Sequence, residues 1–214
     1  MIVACVRTGD KYPVEYVYKL RAMVARHLPI NLAFVCLTDR PQDLSGIDVE
    51  DISSLGLPGW WGKMALFSRS WRGNEPVLYF DLDTVPCGDL ARLANLGIGF
   101  GICKNFTRAA GVETYPCRYG SCVMYLGTEL DGGVWQSFLN DKDRFMASKY
   151  GDQAAIEELL PDAKLLQDLF PEGYFLGYRD LTAEKPAAAS VVVFAGRSKP
   201  HNCEHEWVRR EWEL

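Results

Sequence analysis

The chain reads as an α/β fold with a mostly parallel central sheet flanked by helices, and three observations predict it. Ile2 to Val6, Asn31 to Leu37 and Val77 to Phe80 are short apolar runs of the kind that become buried strands. Between the first two lies a helical stripe of Val14, Val17, Leu20, Val24 and Leu28, and strand–helix–strand in that order builds parallel pairs. The runs end in polar residues, Thr8-Gly9-Asp10, Thr38-Asp39 and Asp81-Leu82-Asp83. Those ends should gather at the carboxyl edge of the sheet, where such folds bind ligands.

Composition narrows the class. A chain of 214 residues suits a single domain, 1–214, with a proper core. Its 48% hydrophobic and 24% charged content fits a soluble globule. A net charge of −5 with no Lys/Arg cluster argues against nucleic acid as a partner. Met1-Ile2-Val3-Ala4-Cys5-Val6 enters a strand directly, so neither a signal peptide nor a membrane anchor is expected. Seven Cys with no C-x-x-C pair read as reduced thiols of a cytoplasmic protein. The six Trp and ten Tyr suit a carbohydrate or nucleotide site, although an aromatic core is their commoner use.

Along the chain, Pro13 should open the first helix and Pro29 stop it. No G-x-G-x-x-G and no G-x-x-x-x-G-K-[ST] occurs, so phosphate holding falls to other groups. Asp43 to Gly59 reads as a surface connection with room for a short edge strand. Trp60-Trp61-Gly62-Lys63 opens a helix with Met64, Phe67 and Trp71 inward. Lys63 in its first turn opposes the helix dipole, which suggests that it faces an anion.

The strand from Val77 carries the sharpest signal. If it continues through the pair, Asp81 and Asp83 point the same way and Leu82 points into the core. Convergent carboxylates are costly unless a cation or proton sits between them. The pair therefore reads as a seat for a divalent metal carrying a diphosphate.

After the pair, Gly88-Asp89-Leu90 starts a short helix, Ile98 to Cys103 and Ser121 to Leu126 are strands, and Gly133 to Leu139 is a helix with Val134, Trp135, Phe138 and Leu139 inward. Lys104 to Tyr119, aperiodic and long, is expected to be a substrate loop. Asp152 either caps the helix running to Leu160 or stands with Gln153 at the mouth of a site. Val191 to Phe194 is the last strand. Trp207 and Trp212 should pack the tail onto the body.

In this order, the N-terminal unit, the Lys63 helix, Leu78-Tyr79-Phe80-Asp81-Leu82-Asp83, Gly120-Ser121-Cys122-Val123-Met124, Gly151-Asp152-Gln153 and Phe194-Ala195-Gly196-Arg197-Ser198-Lys199-Pro200-His201 resemble a GT-A glycosyltransferase of the family 8, glycogenin-like group. The resemblance implies a mixed, mostly parallel GT-A sheet, with a nucleotide-binding half over 1–85 and an acceptor half with the tail over 86–214. It implies transfer of a sugar from a nucleotide-sugar, a UDP-sugar, to an acceptor hydroxyl. Asp81 and Asp83 would hold Mn2+ or Mg2+, Gly196 and Lys199 would meet phosphate, and Asp152 and Gln153 would stand by the reacting sugar. Thr8, Gly9 and Tyr12 would hold the nucleoside, with Asp39 nearby. The group carries a metal-binding His just before the terminal Gly, where this chain has Val193, Phe194 and Ala195. His201 is the substitute expected here, with His205 second.

Two alternatives remain at this level. Asp81-Leu82-Asp83-Thr84-Val85 also resembles the first motif of haloacid-dehalogenase-like phosphatases, which would make Asp81 a nucleophile, although that motif normally lies on a first strand. The absent His leaves room for a relative that binds nucleotide-sugar without turnover.

Overall fold

The computed structural model describes residues 1–28, 32–106 and 117–213. Its frame is a seven-stranded sheet in the order β3-β2-β1-β4-β7-β6-β8. These strands are β1 (Ile2–Arg7), β2 (Ala33–Thr38), β3 (Asp48–Asp51), β4 (Val77–Phe80), β6 (Phe100–Lys104), β7 (Tyr119–Leu126) and β8 (Lys164–Leu165). Pairs β3/β2, β2/β1, β1/β4 and β6/β8 are parallel, and β7 runs antiparallel to both neighbours. The expected mixed, mostly parallel sheet is therefore the one observed.

Helix α1 (Glu15–His27) links β1 to β2 and lies on one face of the sheet. Val17, Leu20 and Val24 of the anticipated stripe are buried there with Tyr16 and Met23, joining the core layer of Val3, Cys5, Leu78 and Phe80. The stop assigned to Pro29 lies outside the described residues, as does Asn31. The opposite face is covered by Gly59–Phe67, α4 (Gly133–Asn140), α5 (Lys142–Met146) and α6 (Gly151–Leu159). Successive residues of β4 point to opposite faces, so Leu78 and Phe80 feed one layer while Val77 and Tyr79 feed the other.

Three expectations need correction. Gly59–Phe67 is a 3-10 helix, followed by α2 (Arg69–Arg72), rather than one α-helix. The segment packs closely on the end of β1: a Cβ on Gly62 would stand 2.8 Å from Thr8 Cγ2 and 2.9 Å from Val6 Cγ1. Leu139 is exposed, while Val134 and Phe138 carry the buried face of α4. Strand β4 stops at Phe80 instead of continuing through the carboxylates.

The short connection after Asp43 contains β3, whose Asp48, Glu50 and Asp51 place charge on a sheet edge, a device that discourages edge pairing. A second sheet, β5-β10-β9, combines β5 (Thr84–Pro86), β10 (Val191–Val193) and β9 (Phe175–Gly177). Between the two sheets' elements run α3 (Ala91–Ala94) and α7 (Leu166–Leu169). The tail ends in α8 (Glu206–Trp212), where Trp212 is buried with its ring 4.7 Å from that of Tyr16. Trp207 is partly buried and donates from its indole nitrogen to the carbonyl of Thr182.

Candidate active site

The carboxylate pair occupies a turn between the two sheets. Asp81 N–H donates to the carbonyl of Cys122 at 2.8 Å, and Thr84 N–H donates back to the carbonyl of Asp81 at 3.0 Å. Leu82 inserts into the core at 2% exposure, as expected. Asp81 and Asp83 line one cleft of about 430 Å3, within the size range of small-ligand sites. The cleft lies at the carboxyl end of β1 and β4, so the edge predicted from the polar strand ends is where it opens.

Each carboxylate already has its own ammonium. Lys63 Nζ lies 2.8 Å from Asp81 Oδ1 and 3.0 Å from Oδ2. It also donates to Ser121 Oγ at 3.0 Å and lies 3.6 Å from Asp152 Oδ2. Tyr79, two residues back on β4, donates its hydroxyl to Asp81 at 2.5 Å. Burial works against the charge on Lys63, yet the carboxylates of Asp152 and Asp81 outweigh it and raise the pKa above the ordinary lysine value. The inferred anion facing Lys63 is thus present within the protein itself.

Asp152 sits at the start of α6 but does not cap it. Its carboxylate instead accepts from the Ser121 hydroxyl. Burial pushes the Asp152 carboxyl above its usual value, and Lys63 and Ser121 pull it only partly back. Gly151 makes this placement possible. It has φ of +68°, and a Cβ there would stand 2.9 Å from the indole Nε1 of Trp60, so a side chain would meet both backbone strain and a clash. Trp60 itself is 54% exposed on the cleft rim, whereas Trp61 is core. Gln153 also lines the cleft.

Asp83 is built differently. Lys199 Nζ lies 2.6 Å from its Oδ2, and Tyr12 donates its hydroxyl to the same oxygen at 2.7 Å. Burial, then the Asp83 carboxylate, drive the Tyr12 phenol far above its usual value, so it stays a donor. The second sheet brings Lys199 here: Val193 pairs antiparallel with Thr84, so the chain leaving β10 passes the Asp83 turn. Gly196 and Lys199 line the cleft. Tyr12 is held by Arg7, whose Nε donates to the Tyr12 carbonyl at 3.0 Å while Nη1 binds Asp43 at 3.0 Å.

The remaining expected residues fall in two groups. Thr8 borders an adjoining hollow of about 230 Å3 with Tyr12, Trp60 and Lys63, and its hydroxyl donates to the Gly59 carbonyl at 2.7 Å. Gly9 N–H donates to both carboxylate oxygens of Asp39 at 3.1 Å, fixing the loop after β1. His201 is not brought to the carboxylates. Buried Pro200 anchors a short turn, Pro200–Asn202, and His201 Nδ1 meets the Tyr16 hydroxyl at 2.5 Å, outside the cleft lining. His205 lies beside Glu204. Among the described residues, no group of three His, Cys, Asp or Glu forms a metal cluster. The expected substrate loop falls largely on residues 107–116, outside the described part, though Asn105 and Phe106 reach the cleft.

Sequence reasoning missed Ser121 as the link between Lys63 and Asp152, and Tyr79 as a donor to Asp81. Tyr79 carried a signal, since i and i−2 share a face on a strand. Ser121 stood in the Gly120-Ser121-Cys122-Val123-Met124 run that carried the resemblance, but nothing there pointed to its bonds with Lys63 and Asp152.

No family model matches the chain, and no curated protein matches it at a meaningful level. Solved structures do. The galactosyltransferase LgtC, in complex with donor and acceptor sugar analogs, is 15% identical and superposes with a TM-score of 0.67 over 99% of this chain and 94% of that one. An active-site mutant of LgtC matches equally well. The glycosyltransferase GlyE of Streptococcus pneumoniae TIGR4 is 18% identical with a TM-score of 0.69, over 99% of this chain and 61% of its own length. At these identities the likeness concerns architecture, and the chain has the GT-A fold of those glycosyltransferases.

Proposed function

We propose that this protein is a glycosyltransferase that moves a sugar from a nucleotide-sugar, a UDP-sugar, to an acceptor hydroxyl with the help of a divalent cation, Mn2+ or Mg2+. The observation that carries the reading is the turn between the two sheets: Asp81 and Asp83 face one cleft at the ligand-binding edge of a GT-A sheet, each beside a lysine. The lining of the cleft carries three aspartates, Asp81, Asp83 and Asp152, and four lysines, Lys11, Lys63, Lys149 and Lys199, so the charge balance favours an anionic diphosphate. The carboxylate oxygens of Asp81 and Asp83 are donors of the hard type that divalent Mg2+ or Mn2+ prefers, and a cation would take them in exchange for their lysine contacts.

In this reading Asp81 and Asp83 hold the cation, with His201 left to Tyr16. A divalent cation held by these residues would supply screening of negative charge on a diphosphate leaving group. Lys199 and the N–H groups of the Gly196 turn add positive potential at the same oxygens in a partly enclosed site. Asp152 and Gln153 orient the sugar, with Lys63 3.6 Å from the Asp152 carboxylate. Thr8 and Tyr12, with the Gly9–Asp39 contact behind them, receive the nucleoside, so residues 1–85 form the donor half and 86–214 the acceptor half. The seven free cysteines are all buried, which suits the reducing cytoplasm, and among the described residues no helix is long and apolar enough to cross a membrane.

The test is donor hydrolysis and transfer with a panel of UDP- and GDP-sugars, with manganese and with chelator. Manganese-dependent release of one nucleotide, abolished in Asp83→Asn, is expected. Nucleotide-sugar binding with no release at high enzyme concentration would make the protein a binder instead. Phosphate release through a phospho-aspartate at Asp81 would favour the phosphatase chemistry.

A further inference from the structure

We infer that the saccharide handled here carries a negative charge of its own, a carboxylate or a phosphate ester, which Lys149 receives while the sugar ring lies on Trp60. This rests on the transferase reading above and names the substrate class of the same site. Its basis is the surplus of ammonium groups in the cleft, together with an exposed indole beside one of them.

The lysines of the lining fall into two kinds. Lys63 and Lys199 are committed to carboxylates, Lys63 to Asp81 and Asp152 and Lys199 to Asp83. Lys11 and Lys149 are exposed and have no carboxylate partner among the described residues. Each lies over the ring of the tyrosine that follows it, 5.0 Å from the centre of Tyr12 and 5.1 Å from that of Tyr150. Lys199 is a second cation at Tyr12, 5.5 Å from the same ring centre. Lys11 therefore joins Lys199 on the side that receives phosphate. Lys149 belongs to the turn between α5 and α6 that leads into Gly151, Asp152 and Gln153, the side that receives the sugar. Ser148 fixes that turn: its hydroxyl accepts from Tyr150 N–H at 3.2 Å and its carbonyl from Gly151 N–H at 3.4 Å.

Trp60 supplies the other half of the subsite. Of the large apolar side chains exposed among the described residues, Val49, Trp60 and Leu139, Trp60 alone lines the cleft. Its indole lies against Gly151, where a Cβ would stand 2.9 Å from Nε1, 3.1 Å from Cε2 and 3.2 Å from Cδ1, so it neighbours the turn of Lys149. An exposed indole offers an apolar face to the C–H side of a pyranose and a polar tip to its hydroxyls. The ammonium beside it asks for a charge that a neutral hexose does not bring. Without such a ligand the Lys149 head is left to water. A carboxylate or phosphate carried in by a sugar seated on Trp60 forms a charge-assisted hydrogen bond with it, in a partly enclosed cleft where the attraction is stronger than in open water. With the diphosphate between Lys11 and Lys199, this ammonium falls to the saccharide.

The experiment is calorimetric titration of the full chain, with manganese present, using matched pairs that differ in the charge of the sugar. The donor pairs are UDP-glucuronate with UDP-glucose and UDP-galacturonate with UDP-galactose. The acceptor pairs, titrated after saturation with UDP, set the free uronates and the hexose 6-phosphates against their parent hexoses. Wild type, Lys149→Gln, Lys149→Arg and Trp60→Ala are compared after matching thermal melts. Wild type is expected to bind the charged member about tenfold more tightly in one of the two sets, and which set it is tells donor from acceptor. Lys149→Gln should lose that preference and keep its affinity for the neutral member, Lys149→Arg should retain it, and Trp60→Ala should weaken both members together. Equal affinity within every pair in wild type overturns the inference, as does a preference that survives in Lys149→Gln. If UDP-sugars bind in either of those cases, the anionic saccharide falls and the transferase reading stands. If neither UDP nor any UDP-sugar binds, both fall.

Discussion

The two carboxylates of the turn are two residues apart, yet they belong to different kinds of structure. Asp81 is tied to the frame: its partners Tyr79, Lys63 and, through Lys63, Ser121 and Asp152 come from β4, β7, the 3-10 helix and α6. Asp83 is tied to surface loops, with Tyr12 from the loop after β1 and Lys199 from the tail. The first side is a buried charge network whose members support the fold. The second is a single ion pair, equally enclosed, with Lys199 16% and Asp83 7% exposed at the side chain, but held by fewer elements. The first side joins four elements, so its loss should cost the fold more than loss of the second.

The largest effect should come from breaking the frame side. Lys63→Met leaves Asp81 and Asp152 without their shared cation in a site where Lys63 is 13% and Asp152 7% exposed at the side chain. A loss of about 3–5 kcal/mol in urea unfolding is expected. A loss under about 1 kcal/mol, the range of exposed pairs, would mean that the network is solvated and the contrast is false.

Asp83→Asn comes next, with an effect on binding rather than folding. Manganese-dependent nucleotide binding should disappear in calorimetry, while the unfolding midpoint should fall less than for Lys63→Met, because the Asn amide oxygen can still accept from Tyr12 and Lys199. Sugar transfer at the wild-type rate would remove Asp83 from the site.

A pH series sharpens the same contrast. Burial raises the Asp152 carboxyl above the unfolded value. Between those two values the folded chain holds a proton that the unfolded chain has lost, so stability falls as pH rises through that window. Asp152→Asn should flatten this slope, read from unfolding free energies on either side of the ordinary carboxylate range. An unchanged slope would assign the titration elsewhere.

The smallest effect is expected at the rim. Trp60→Ala removes an exposed indole from beside Gly151, so stability should change by less than about 1 kcal/mol. A larger loss, measured by urea unfolding, would make the rim part of the frame.

Legibility in the sequence followed the same division. Buried strands announce themselves through apolar runs, so β1, β4 and β7 and the inward Leu82 could be read directly, and the polar strand ends pointed to the edge of the sheet where the cleft opens. The close packing of Gly59–Phe67 on β1 was hidden, because Gly62 meets Val6 and Thr8, far off in sequence. The break after Phe80 was equally hidden, since Thr84 and Val85 join a second sheet with β10, over a hundred residues later. His201 looked available only because its partner Tyr16 lies on α1.

The central claim is that the turn at Asp81 and Asp83 seats a nucleotide diphosphate with a divalent cation. Calorimetric titration of the full chain with UDP, then GDP, each with and without manganese, tests it most directly. Saturable binding of UDP that requires manganese and vanishes in Asp83→Asn is the predicted result. No binding of either nucleotide with manganese present would contradict it.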